Sequence, residues 1–124
     1  MDLAPYFKSI IDADTAQVVI CDMNDVIIYM NAAAAEAEAK HGGYALLGRD
    51  LKECHSPRSR EAIARVKEWF AKAPANNCVH TFYNEKLNKD VYMVALRNDG
   101  GELIGYYEKH CFRTRDAAPF YELI

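Results

Sequence analysis

The chain reads as one α+β domain built on an antiparallel sheet. Three observations predict this. Five short apolar runs with strand character fall into a group of two and a group of three. A helical block separates the groups. An Asp99-Gly100 pair joins the last two runs, and Asp-Gly between apolar runs is a strong hairpin signal.

The elements follow in order. Residues 3 to 11 form a short amphipathic helix: Asp2 caps it, and Leu3, Phe7, Ile10 and Ile11 share a face. "QVVICD" and "VIIYMN" are strands joined by "DMND", a turn-forming cluster. Asn31 is a good N-cap for the alanine-rich helix "AAAAEAEAK", and Gly42-Gly43 ends it. "YALLGRDL" is a helical turn broken at Gly48. Ser56 caps the next helix, and Pro57 suits its first position, where a missing N–H costs nothing. Ala62, Ile63, Val66, Trp69, Phe70 and Ala73 recur at helical steps as one apolar stripe, and Pro74 stops it.

"CVHTFYN", "DVYMVALRN" and "GELIGYYEKHCF" are the last three strands. With a two-residue loop at Asp99-Gly100, Leu96 faces Leu103, Val94 faces Gly105 and Tyr92 faces Tyr107 on one side of the hairpin. Met93, Ala95, Ile104 and Tyr106 occupy the other. Both sides carry apolar residues, so both need a cover. The N-terminal helix is the element available for the outer one, from this chain or from a second copy.

Composition narrows the function. The 124 residues hold 15 Lys and Arg against 18 Asp and Glu, a net charge of −3 that disfavours nucleic acid as a partner. The basic residues Arg58, Arg60, Arg65 and Lys67 suit one solvated helix face. No run is long and apolar enough to span a membrane, and no secretory leader is visible. Cys21, Cys54, Cys78 and Cys111 include no CxxC spacing, so the expectation is reduced thiols in a cytoplasmic protein.

Order, turns and spacing together resemble a PAS domain over roughly residues 15 to 112. "VVICDMNDVIIYMNAAAAEAEA" is similar to the opening PAS hairpin and the Asn-capped helix behind it. "LLGRDLKE" is similar to the short Gly-Arg segment that follows. "VYMVALRNDGGELIGYYEKH" is similar to the closing hairpin. "CHSPRS" resembles a Cys-His-Pro box of one PAS subgroup, departing from it at Ser56.

The resemblance implies a five-stranded sheet ordered 2-1-5-4-3, with helices on one face and the N-terminal helix on the other. It implies residues 1–14 as a dimerising cap, 15–112 as the PAS domain and 113–124 as a tail. It further implies a sensory or dimerising module in signal transduction, not an enzyme. Such a module binds a small ligand in an internal pocket, forms a homodimer, and needs a protein partner in trans to pass its signal. Heme and flavin are the cofactors it would admit.

The candidate contacts to a pocket ligand are Cys54, His55, Ile28, Trp69, Tyr92 and Tyr107. A neutral imidazole is a good axial ligand to iron. The favoured reading of the Cys54-His55 pair is structural: His55 bonds a backbone group, and Cys54 fills a small apolar space. A Cys54 nucleophile, or a metal held with His110-Cys111, suffers from poor spacing, because adjacent residues rarely aim at one point. Cys21 and Cys111 fall on neighbouring strands in the PAS order, a disulfide only if their Cβ atoms align. The alternatives to a sensor are a small enzyme with His55 as general base and a ligand-free interaction domain.

Overall fold

A computed structural model describes residues 1–121, without the side chain of Cys54. Residues 122–124 of the expected tail lie outside it.

The elements run α1 (Ala4–Ala13), β1 (Gln17–Asp22), β2 (Ile27–Met30), α2 (Ala32–Ala37), α3 (Pro57–Lys72), β3 (Cys78–Asn84), β4 (Lys89–Arg97) and β5 (Leu103–Phe112). Three 3-10 turns, Ala39–His41, Gly43–Leu46 and Leu51–Cys54, join α2 to α3. The strands form one antiparallel sheet in the order β2-β1-β5-β4-β3, as the resemblance implied.

Local chemistry explains the helix starts. The Asn31 side chain accepts a hydrogen bond from the N–H of Ala34 at 3.0 Å, and that of Ser56 accepts from Ser59 at 3.2 Å. Asn31 does more, because it is wholly buried. Its oxygen also accepts from Val18 N–H, and its amide donates to the carbonyls of Ile11, Asp14 and Ala16. One side chain therefore ties α2, β1 and the end of α1 together.

The core lies between the inner sheet face and the helices. Val19, Cys21, Met30, Met93 and Tyr106 meet Ala34, Leu46, Leu51, Ile63 and Phe70 there. Two ties hold α3 over the sheet. Arg97 on β4 donates to the carbonyl of Phe70 at 2.7 Å and reaches those of Ala73 and Asn76, which satisfies the open C-terminus of the helix. Lys67 donates to the carboxylate of Asp25 in the β1–β2 turn at 2.9 Å.

The closing hairpin corrects one expectation. Asn98 N–H donates to Glu102 O at 3.0 Å, so the loop is Asp99-Gly100-Gly101, with Gly101 at φ +81°, where glycine is favoured. A bulge follows: Arg97 pairs with Leu103 and Leu96 with Gly105, leaving Ile104 unpaired. The extra loop residue and the bulge each flip side-chain parity, and the two flips cancel. Beyond the bulge the face groupings stand, but the partners slip: Tyr92 faces Lys109, and Tyr107 faces Val94; before it, Leu103 turns in against the core and Ile104 turns out, the reverse of the expected sides. The inner face is the one carrying Val91, Met93, Ala95, Tyr106, Glu108 and His110, since Met93 and Tyr106 join the core. Tyr92 and Tyr107 belong to the outer face.

α1 has no buried residue. Its polar side meets the outer sheet face, where Tyr29 hydroxyl donates to Asp12 and Lys8 lies over the Tyr29 ring. Its apolar side is bare, with Leu3, Tyr6, Phe7 and Ile10 all exposed.

Candidate functional site

The loop holding His55 is well anchored. Its Nδ1 lies 2.8 Å from the carbonyl of Leu51, one turn back, which fixes the proton on Nδ1 and leaves Nε2 bare. Arg60, on the first turns of α3, donates to the carbonyls of Lys52 and His55 at 2.8 and 3.1 Å. The backbone reading of His55 and the helix-starting role of Ser56-Pro57 thus describe the local structure.

The same loop borders open space. A cavity of about 570 Å³ lies between the N-terminal half of α3 and the inner face of β3, β4 and β5. Arg58, Ala62, Thr81 and Phe82 are exposed at its mouth; Ile63, Val91, Met93, Glu108 and His110 form its interior. A smaller one of about 160 Å³ lies toward α2, lined by Gln17, Val19, Met30 and Leu46 among others. His55, Glu108 and His110 line both, so these three polar side chains stand at the junction.

The junction is polar and poorly satisfied. Glu108 is buried on β5. Among the described residues nothing hydrogen-bonds its carboxylate; its nearest charge partner is His110 Nε2 at 3.9 Å, too long for a hydrogen bond. His110 Nδ1 is buried with no partner. Most buried polar groups in proteins are paired, so the unpaired His110 Nδ1, beside a carboxylate that no described residue hydrogen-bonds, sets this junction apart from the rest of the core.

Sequence reasoning singled out His55, weighed His110 only as a metal ligand and Arg58 only as a solvated charge, and missed Glu108 and Thr81. "YYEKHCF" looks like an ordinary half-exposed strand. The available signal was its period of two: Tyr106, Glu108 and His110 share a face with Met93 and Val91. Of the other expected contacts, Ile28 is 55% exposed at the bulged β2 edge. Trp69 is 38% exposed, turned from the core that its neighbour Phe70 joins. Tyr92 stacks on His80 on the outer face, and Tyr107 is half-buried there. None of the four is among the residues lining either cavity. The side chain of Cys54 lies outside those described.

The other cysteine ideas resolve by position. Cys21 faces Tyr106 on the inner side, whereas Cys111 pairs with Asp90 toward the far end of β5 and points outward. Both are free thiols. Burial pushes the Cys21 thiol up to about 12. Among the described residues no group of three His, Cys, Asp or Glu could hold a metal ion.

A second polar cluster braces the site from behind. Asp25 is buried in the left-handed conformation, φ +64°. Its carboxylate accepts from Tyr106 hydroxyl at 2.7 Å and from Lys67, with Lys52 at 3.6 Å. Burial pushes this carboxyl up, but the hydrogen bonds from Lys67 and Tyr106 and the two lysine charges outweigh it and hold it below the usual range. Burial foremost, then Cys21 and the Asp25 carboxylate, push the Tyr106 phenol far up, so it stays a donor. The Asp25 carbonyl also accepts from Leu51 N–H at 2.7 Å, which sets the turn leading to His55.

No helix among the described residues is long and apolar enough to cross a membrane. No protein-family model matches the sequence, and no curated protein matches it. Solved structures do. A C-terminal domain from Streptococcus mutans superposes with a TM-score of 0.63 at 21% identity, covering 84% of this chain and 80% of that one. A PAS domain from Colwellia psychrerythraea gives 0.62 at 13% identity, covering 90% and 97%. The Aer2 receptor of Vibrio cholerae, a dual PAS-heme oxygen sensor, gives 0.53 at 15% identity, covering 80% and 95%. At such identities the likeness is one of fold.

Proposed function

We propose, from a chain with the fold of a PAS domain, that it is a sensory module in signal transduction, reading a small organic ligand in the cavity beside α3. One observation carries this. The space of about 570 Å³ has apolar walls and, at its inner end, the polar junction of His55, Glu108 and His110. Apolar walls with a few convergent polar groups are the general form of a ligand site. That the Aer2 receptor is a heme sensor on the same fold supports a sensory role.

The lining does not fit heme or flavin well. His55 Nε2 could serve an iron, and Arg58 at the mouth could pair with a propionate. A porphyrin, however, offers no donor to the buried Glu108 carboxylate. The polar edge of a flavin ring sets carbonyl oxygens beside its one N–H, and these repel a carboxylate.

Signal would leave through a shift between arrangements of the His55 loop, which needs a ligand that binds one arrangement better. The signal would pass to a protein partner, and the free thiols agree with a cytoplasmic setting. The module pairs as a homodimer through the bare apolar side of α1, in line with residues 1–14 as a cap on a 15–112 domain. Replacing Phe7 and Ile10, 57% and 67% exposed, by lysine should leave the fold intact and halve the mass seen in sedimentation. An unchanged mass would refute that pairing.

The ligand reading is tested on purified protein by denaturing mass spectrometry and by melting in a panel of small heterocycles, acids and amines. A released compound, or a saturable rise in melting temperature lost on filling the cavity with Ala62→Trp, is the expected result. A ligand-free protein whose melting no compound moves would overturn it.

A further inference from the structure

We propose that the ligand is a planar nitrogen base, an apolar ring with two adjacent N–H donors on one edge, as in an aromatic amidine. This rests on the reading of the cavity as a ligand site and names what it takes.

Glu108 carries the argument. It is 9% exposed, on the inner face of a central strand, with no hydrogen bond from the described residues. Its carboxylate faces the open space where two cavities meet, with no protein donor among the described residues to satisfy it. A carboxylate is best satisfied by two parallel N–H donors, one to each oxygen. His110 Nδ1, buried and unpaired beside it, can take a third hydrogen bond from the same ligand. Ile63 comes from α3, and Val91 and Met93 from β4, so the space in front of Glu108 is bounded by apolar groups from two layers. A flat ring suits such a slot.

Charge sets the orientation. The inner end carries a carboxylate, and the mouth carries Arg58. A base therefore goes in first, and any acidic substituent stays outside. A ligand that must bury a carboxyl group is excluded by Glu108.

Three probes share one ring and differ only at this edge: benzamidine with two donors, benzamide with one donor and one acceptor, benzoate with two acceptors. Calorimetric titration of the full chain should rank them in that order, with benzamidine about tenfold tighter than benzamide. Glu108→Gln should erase the preference for benzamidine. It should also leave the ligand-free protein with a cooperative melt near that of the native chain. That second readout shows the variant is folded.

Benzoate binding as tightly as benzamidine, or benzamidine affinity unmoved in Glu108→Gln, would overturn the proposal. Binding of the three without preference would remove the nitrogen base and keep the cavity as a ligand site. No binding by any of them would remove both.

Discussion

Replacing Asp25 by asparagine tests how the cavity's rear wall is held. Asn tolerates the left-handed φ of +64° at this position and keeps the side chain's shape, so the change isolates the charge. In the native protein the carboxylate accepts from Tyr106 at 2.7 Å and from Lys67 at 2.9 Å. Lys67 keeps only 20% of its side-chain exposure, so it cannot simply return to water. A hydrogen bond to a charged group contributes about 1.5–3 kcal/mol, and breaking a fully buried pair costs about 3–5 kcal/mol. Lys52 is 42% exposed and adds little. The expected loss at neutral pH is about 2–3 kcal/mol, or about 10 °C in melting temperature for a chain of this size.

The pH dependence gives a second check. The Asp25 carboxyl titrates lower in the folded chain than in the unfolded one. Its stabilisation is therefore complete above the unfolded value, about 3.9, and is lost as pH falls through the lower folded value. The gap between native protein and Asp25→Asn, measured by urea unfolding, should be constant from neutral pH down to about 5 and should close below about 4. A variant within about 0.5 kcal/mol of the native protein at pH 7, or a gap that ignores acid, would refute this account of the network.

Three further outcomes follow from the packing. Asn31→Ala removes a buried helix cap and five hydrogen bonds at once, and should cost about 3–4 kcal/mol in urea unfolding while speeding amide exchange in α1. Gly105→Ala would push a Cβ into the carbonyl oxygen of Cys21 on the neighbouring strand, so circular dichroism should show a loss of stability larger than that of any surface change. Cys21, its thiol raised to about 12 by burial, should stay silent to a thiol reagent at pH 8 until the protein is unfolded, whereas exposed Cys78 reacts at once.

Much of the framework was legible because it is coded locally. Asn31, Ser56-Pro57 and Gly42 sit at helix ends whose open backbone groups need those residue types. The closing hairpin was legible in its existence but not in its register. The Asp99-Gly100 signal is also compatible with a third loop residue, and Gly101 supplied it. The bulge at Ile104 then restored parity, a cancellation between two non-local choices that no short window contains.

The sequence alone determined the strands, the caps and the likeness to a PAS domain. These rest on interactions within a few residues, or on an order of elements that one chain displays in full. Only the tertiary structure decided which face of the sheet is inside. Tyr92, Val94 and Leu96 are as apolar as Val91, Met93 and Ala95, so hydrophobicity could not choose; packing against Ile63 and Phe70 did. That choice carried Glu108 and His110 inward to meet His55, and it turned Tyr92 and Tyr107 out. The polar junction of residues 55, 108 and 110 exists only once β5 has found its place beneath α3.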